Sequence, residues 1–174
     1  VSKMKTTLNE GLAQARSGEG DVVVVLPGHA EDISGADQMS SLKAGTRIVG
    51  VGFGMQRPTF TWTAAGSSFL FDLANVTIEN CVLIMATADN SGVTVTAPIT
   101  VSAAGCGILG CDIRFGDDAN DDVAIGITTT AAADDFHFIG NRCYGAVAAE
   151  CTTFLRLVGA DRLVMKDNYI DGAT

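Results

Sequence analysis

The chain has 174 residues, a formal net charge of −9, 47% hydrophobic but only 6% aromatic residues, 20 glycines and 18% charged residues. This is enough apolar material for a single packed domain over residues 1–174, and it is not a disordered composition. The acidic balance argues against a nucleic acid as partner, because phosphate binding needs clustered Lys and Arg. No apolar run approaches the roughly 18 residues of a membrane span, and the N-terminus carries no secretory h-region.

In chain order, residues 2–17 predict a short amphipathic helix that caps the domain. Met4, Leu8, Leu12 and Ala15 share one face, Ser2 offers an N-cap and Gly18 a C′ residue, while Gly11 weakens the interior. The segment "GEGDVVVVLPGH" then reads as a buried strand from Val22 to Val25, closed by a Pro27-Gly28 turn. Coils are expected over 21–174.

From residue 46 a different pattern takes over. In "VTIENCVL" the apolar residues alternate at Val76 and Ile78, slip by one, and resume at Cys81 and Leu83. The same slip recurs in Thr46, Ile48, Val51, Phe53; in Cys106, Ile108, Cys111, Ile113; in Phe136, Phe138, Asn141, Cys143; and in Leu163, Met165, Asn168, Ile170. The second members of these sets stand 30, 30, 30 and 27 residues apart, which is an internal repeat. The residue before each third member is Gly50, Asn80, Gly110, Gly140 and Asp167. Gly, Asn and Asp are the residues that best tolerate a left-handed backbone, so each slip predicts a corner between two short strands.

Two strands and a corner every 30 residues or so predict a parallel β-solenoid of about five to six coils. Third-side strands are expected at 92–97, 124–130 and 153–159, and edge loops at 86–92 and 116–122. Cys81, Cys111, Asn141 and Asn168 fall in one column on successive coils, about 4.8 Å apart, and form an inward ladder in which stacked amides bond one another. The five cysteines show no zinc spacing and read as buried reduced thiols; the odd count argues against a complete disulfide framework.

With these repeats the chain resembles the right-handed, single-stranded parallel β-helix of the pectate-lyase-like superfamily, which includes phage tailspikes. The capping helix before "GDVVVVLPGH" and the units "IENC", "IGN" and "MKDN" carry the resemblance. "VLPGHAEDI", "GVGFGMQRPTFTW" and "ANVTIENCVL" are similar to segments of short β-helix proteins from tailed-phage structural regions. That likeness implies a virion protein related to truncated tailspikes, in some cases trimeric decoration on the capsid.

The same superfamily contains lyases and hydrolases. Lyases need acids on one face to hold Ca²⁺ with a basic residue beside them. Here Asp117, Asp118, Asp121 and Asp122 form one loop run and Asp134-Asp135 another, which reads as solvated turns. The hydrolase His-Gly motif is missing, and His29 and His137 read as surface residues. "GVGFG" opens no helix, so no nucleotide site is expected. Trp62 could stack on a glycan, but core or subunit packing is the favoured reading. No catalytic residue, cofactor or metal is expected.

Outward positions beside the corner are Arg47, Val49, Thr77, Glu79, Gly107, Leu109, His137, Ile139, Val164 and Lys166, of which only Glu79 is acidic. This flank suits contact with a partner subunit. The expectation is a non-enzymatic homotrimeric protein of the virion, on the capsid surface in preference to the tail. The alternative is a polysaccharide-binding or polysaccharide-degrading β-helix.

Overall fold

The computed structural model describes residues 4–85, 94–115, 123–145 and 151–171. Its elements in chain order are α1 (Leu8–Leu12), β1 (Val22–Val25), β2 (Ala30–Ile33), β3 (Arg47–Gly50), β4 (Thr59–Trp62), β5 (Phe69–Phe71), β6 (Thr77–Glu79), β7 (Val82–Met85) and β8 (Ile99–Val101). They continue with β9 (Gly107–Leu109), β10 (Asp112–Phe115), β11 (Val123–Thr129), β12 (His137–Ile139), β13 (Arg142–Gly145), β14 (Cys151–Arg156), β15 (Val164–Lys166) and β16 (Tyr169–Asp171).

Every strand pairing is parallel, and each strand bonds to its counterpart one coil away. The strands stack into three sheets: β1-β3-β6-β9-β12-β15, β2-β4-β7-β10-β13-β16, and β5-β8-β11-β14. This is a parallel β-solenoid. A full turn needs a strand on all three sides, and the third sheet has four, so the solenoid makes about four turns rather than five to six. The end rungs, β1-β2 and β15-β16, contribute two strands each.

Inward side chains of the three sheets fill the coil. Ile48, Ile78, Ile108 and Phe138 form one fully buried column, and each such side chain contributes about 1.5–3 kcal/mol by leaving water. Larger rings fill the far side: Trp62 and Phe60 meet Phe69 edge-on at 4.9 and 5.5 Å, and Phe154 meets Phe115 and Phe138 at 5.5 and 5.8 Å. Trp62 is fully buried and its Nε1 donates to the Pro98 carbonyl, so it offers no ring to a glycan.

The cap is shorter than the 2–17 expected. Thr7 and Glu10 form a capping box that starts the helix at Leu8, and three-residue bonds from Gln14 to Gly11 and from Ala15 to Leu12 tighten and end it. Leu8 and Leu12 are buried, whereas Met4 stands in solvent; Ser2 lies outside the described residues. Glu31 fastens α1 to the first rung, its carboxylate accepting from the Leu8 N–H at 2.7 Å and lying 3.0 Å from His29 Nε2. His29 is therefore mostly covered, packed against the Phe60 ring, and not a free surface histidine.

β1 is an edge strand with Val22 and Val24 half exposed, so it is not the fully buried strand its β-branched run suggested. On the third side, the expected strand at 92–97 is replaced by β8, with only a bridge at Val95 among the described residues before it. The expected edge loops at 86–92 and 116–122, with Asp117, Asp118, Asp121 and Asp122, lie outside the described residues.

Candidate assembly surface

Four of the five predicted corners are two-residue turns between the first and second sheets. Asn80, Gly110, Gly140 and Asp167 have φ of 54°, 60°, 67° and 55°, the left-handed conformation their residue types accept most easily. Gly50 is the exception. It ends β3 with no positive φ, and nine residues, 50–58, stand where the next rung has two, 80–81.

The insertion changes what faces inward. Val51 and Phe53 were expected inside but are exposed, Phe53 by 91%; Pro58 and Phe60 take those places and are buried. Gly50 is required for another reason: a Cβ there would stand 2.5 Å from the Asn80 carbonyl oxygen and 3.0 Å from Cys81 Sγ. Asn80 Nδ2 in turn donates to the carbonyls of Gly50 and Gly52, tying the inserted loop to the next rung.

Inside the corners, Cys81, Cys111, Asn141 and Asn168 precede register-matched residues of the second sheet and so form one column. Asn168 Oδ1 accepts from the Asn141 N–H at 2.9 Å and from its Nδ2 at 3.2 Å, and Asn141 Oδ1 accepts from the Cys111 N–H at 2.9 Å. Both amides also donate to strand carbonyls, Ile108 and Phe138. Burial pushes the Cys81 thiol up and the Cys111 thiol up to about 12, so neither is poised as a nucleophile. All five cysteines are free, with Cys106 and Cys143 also buried and Cys151 partly so.

A second column of left-handed residues went unread in the sequence. Gly18, Gly45, Asn75, Gly105, Asp135 and Arg162 all have positive φ and mark the turn into the first sheet on successive rungs. The N–H of Gly18, Gly45, Asn75, Gly105 and Asp135 each donates to a carbonyl one rung further on. Gly18 thus heads a corner ladder and does not cap α1. The signal was the same 30-residue spacing from Gly45 to Asp135 in Gly, Asn and Asp, from which only Arg162 departs in type and interval.

These corners flank the outward face of the first sheet on both sides. Register places Val24, Val49, Glu79, Leu109, Ile139 and Lys166 in one outward column, and Val22, Arg47, Thr77, Gly107, His137 and Val164 in the other. The one carboxylate is neutralised: Arg47 donates to it twice, Nε to Oε1 at 2.9 Å and a terminal nitrogen to Oε2 at 2.8 Å, and Thr77 adds a third bond. Arg47 holds Glu79 below its ordinary carboxyl range, helped by Thr77 and opposed by partial burial. His137 has only Gly107 and Val164 beside it in its column. A face whose carboxylate is already paired and whose other outward residues are largely apolar suits contact with an apolar partner surface.

Asp134 and Asp135 also serve structure. Arg162, on the next rung, donates twice to Asp135 at 2.8 Å, and Asp134 accepts from the Asp161 N–H. Among the described residues no three His, Cys, Asp or Glu side chains gather as a metal site, and no helix is long and apolar enough to cross a membrane. At the rim, the inserted loop carries Phe53 and Met55 almost wholly into solvent, near Leu26 and Val51, which are half exposed. Compared with protein-family models, curated proteins and solved structures, the chain matches none.

Proposed function

We propose that this chain is a non-enzymatic structural protein that assembles as a homotrimer through the outward face of its first sheet, and that it decorates the capsid of a tailed phage. The observation that carries the reading is that face: apolar along most of one column, with its single acid already paired. The virion setting is supported by the resemblance of "VLPGHAEDI", "GVGFGMQRPTFTW" and "ANVTIENCVL" to phage β-helix proteins.

Size decides how much of the surface must take part. Six strands about 4.8 Å apart, with two outward columns about 7 Å apart, make a strip of roughly 200 Å², against about 800 Å² per partner in a stable interface. The strip alone is too small. Phe53 and Met55 are the natural extension, since fully burying each contributes about 1.5–3 kcal/mol and exposed anchors of this kind dominate interfaces.

Sedimentation of the purified protein should give a trimer, and Phe53→Asp or Ile139→Asp should give folded monomers. A monomeric parent, or release of reducing ends from acidic or neutral polysaccharides, would overturn the reading.

A further inference from the structure

The second sheet carries a different surface on its outward side. On three successive strands, register aligns Asp112, Arg142 and Tyr169 in one column, and Arg114, Tyr144 and Asp171 in the next. Arg57, from just before β4, forms an ion pair with Asp112 on β10, so its side chain crosses the intervening strand β7 at Val82, which is buried although it faces outward. Three of the chain's eleven Lys and Arg side chains therefore meet in one place on a molecule of net charge −9.

Arg57 is paired with Asp112, whereas Arg142 and Arg114 are held but not fully paired among the described residues. The Arg142 guanidinium stacks 4.8 Å from the Tyr144 ring centre and 6.0 Å from that of Tyr169, and has no carboxylate partner among the described residues. Arg114 lies 5.6 Å from the same Tyr144 ring and 3.9 Å from Asp112, whose carboxylate is already taken by Arg57. Arg114 Nε is buried with no hydrogen-bond partner among the described residues, and such groups in a folded protein call for an explanation.

We infer that this shelf binds an acidic polypeptide surface through its Asp or Glu carboxylates. A guanidinium laid on a ring keeps its N–H edge free and fixed, the geometry that receives a carboxylate in two parallel bonds. Tyr and Arg are also the residues enriched where proteins dock, while Lys, Ser and Ala are depleted. A sugar would need an open aromatic face, but the Tyr144 ring is engaged by two guanidiniums and the Tyr169 ring by one. Three arginines against Asp112 and Asp171 leave the shelf a net charge of +1 on a chain of −9, so it is the side of lesser repulsion for an anionic partner. Arg114, Arg142, Tyr144 and Tyr169 lie on a different sheet from the proposed trimer face, and only Arg57 shares the inserted loop with Phe53 and Met55, so a test read at Arg114 and Arg142 stands or falls independently of that reading.

Fluorescence anisotropy with fluorescein-labelled octaglutamate tests it. The parent should bind, and Arg142→Gln or Arg114→Gln should each weaken binding about tenfold or more, as loss of a charge-assisted pair predicts. Arg16→Gln, which removes the same charge at a remote exposed pair, should leave binding within about twofold, since an exposed pair contributes little. Arg142→Lys, which keeps the charge but loses the fork, should fall between. Emission from buried Trp62 shows that each variant is folded. Failure of octaglutamate to bind, equal loss in Arg16→Gln, or shelf-dependent binding of oligogalacturonate in its place would overturn the inference. So would unchanged binding by Ile139→Asp and Arg142→Gln alike.

Discussion

Glycines at equivalent corners of this solenoid are required for opposite reasons. Gly110 has φ of 60° and open space where a Cβ would go, while Gly50 has ordinary φ and no space at all. Asparagine discriminates between them, because it accepts a left-handed backbone but not a collision. Gly110→Asn should change stability by less than about 0.5 kcal/mol, whereas Gly50→Asn should lose about 1–3 kcal/mol through overpacking against Asn80 and Cys81. Urea titrations of both variants measure this, and equal losses would remove the distinction. Spacing alone made the two look alike, since a sequence shows residue type and interval but not the atoms of the neighbouring rung.

Glu79 gives a pH signature at the same scale. Its carboxyl is held below its ordinary 4.5, chiefly by the Arg47 hydrogen bonds, so the folded state binds a proton less readily than the unfolded chain. The pair's contribution is therefore complete above pH 4.5 and is lost as pH falls through the lowered value. The stability difference between the parent and Glu79→Gln, measured by denaturant from pH 7 to pH 3, should shrink below 4.5; a difference that grows there would refute this.

At the scale of elements, α1 shows how a local signal can outrank periodicity. The apolar spacing Met4, Leu8, Leu12, Ala15 suggested four turns, but Thr7 and Glu10 close a capping box three residues apart and set the start. Thr7→Ala should lose about 1 kcal/mol of local stability, seen as faster amide exchange over Leu8–Leu12 while the coil amides remain protected. Uniform loss of protection throughout the chain would mean that cap and coil unfold as one unit. The first corner teaches a similar lesson. Val51 and Phe53 sit at the repeat's inward phase, yet the inserted residues 50–58 hand those places to Pro58 and Phe60. An apolar residue at the right interval is ambiguous when the loop length is free to vary.

Across the whole molecule, the repeat, the four corners at Asn80, Gly110, Gly140 and Asp167, the ladder column and the parallel all-β class are legible in the amino-acid sequence. Each depends on a conformational demand that recurs at one residue and so leaves a residue type at a fixed interval. The second corner column obeyed the same interval from Gly45 to Asp135 in Gly, Asn and Asp, and departs from it only at Arg162, since Arg carries no left-handed signal. The tertiary structure alone decided that Glu31 reaches the Leu8 N–H, that Arg57 reaches Asp112, and that Arg142 meets Tyr169. The two partners in the last two cases lie on different rungs or strands, brought together by stacking register. Sequence fixes what each rung must be, because backbone conformation is local; which side chains meet on the outside depends on the rungs above and below.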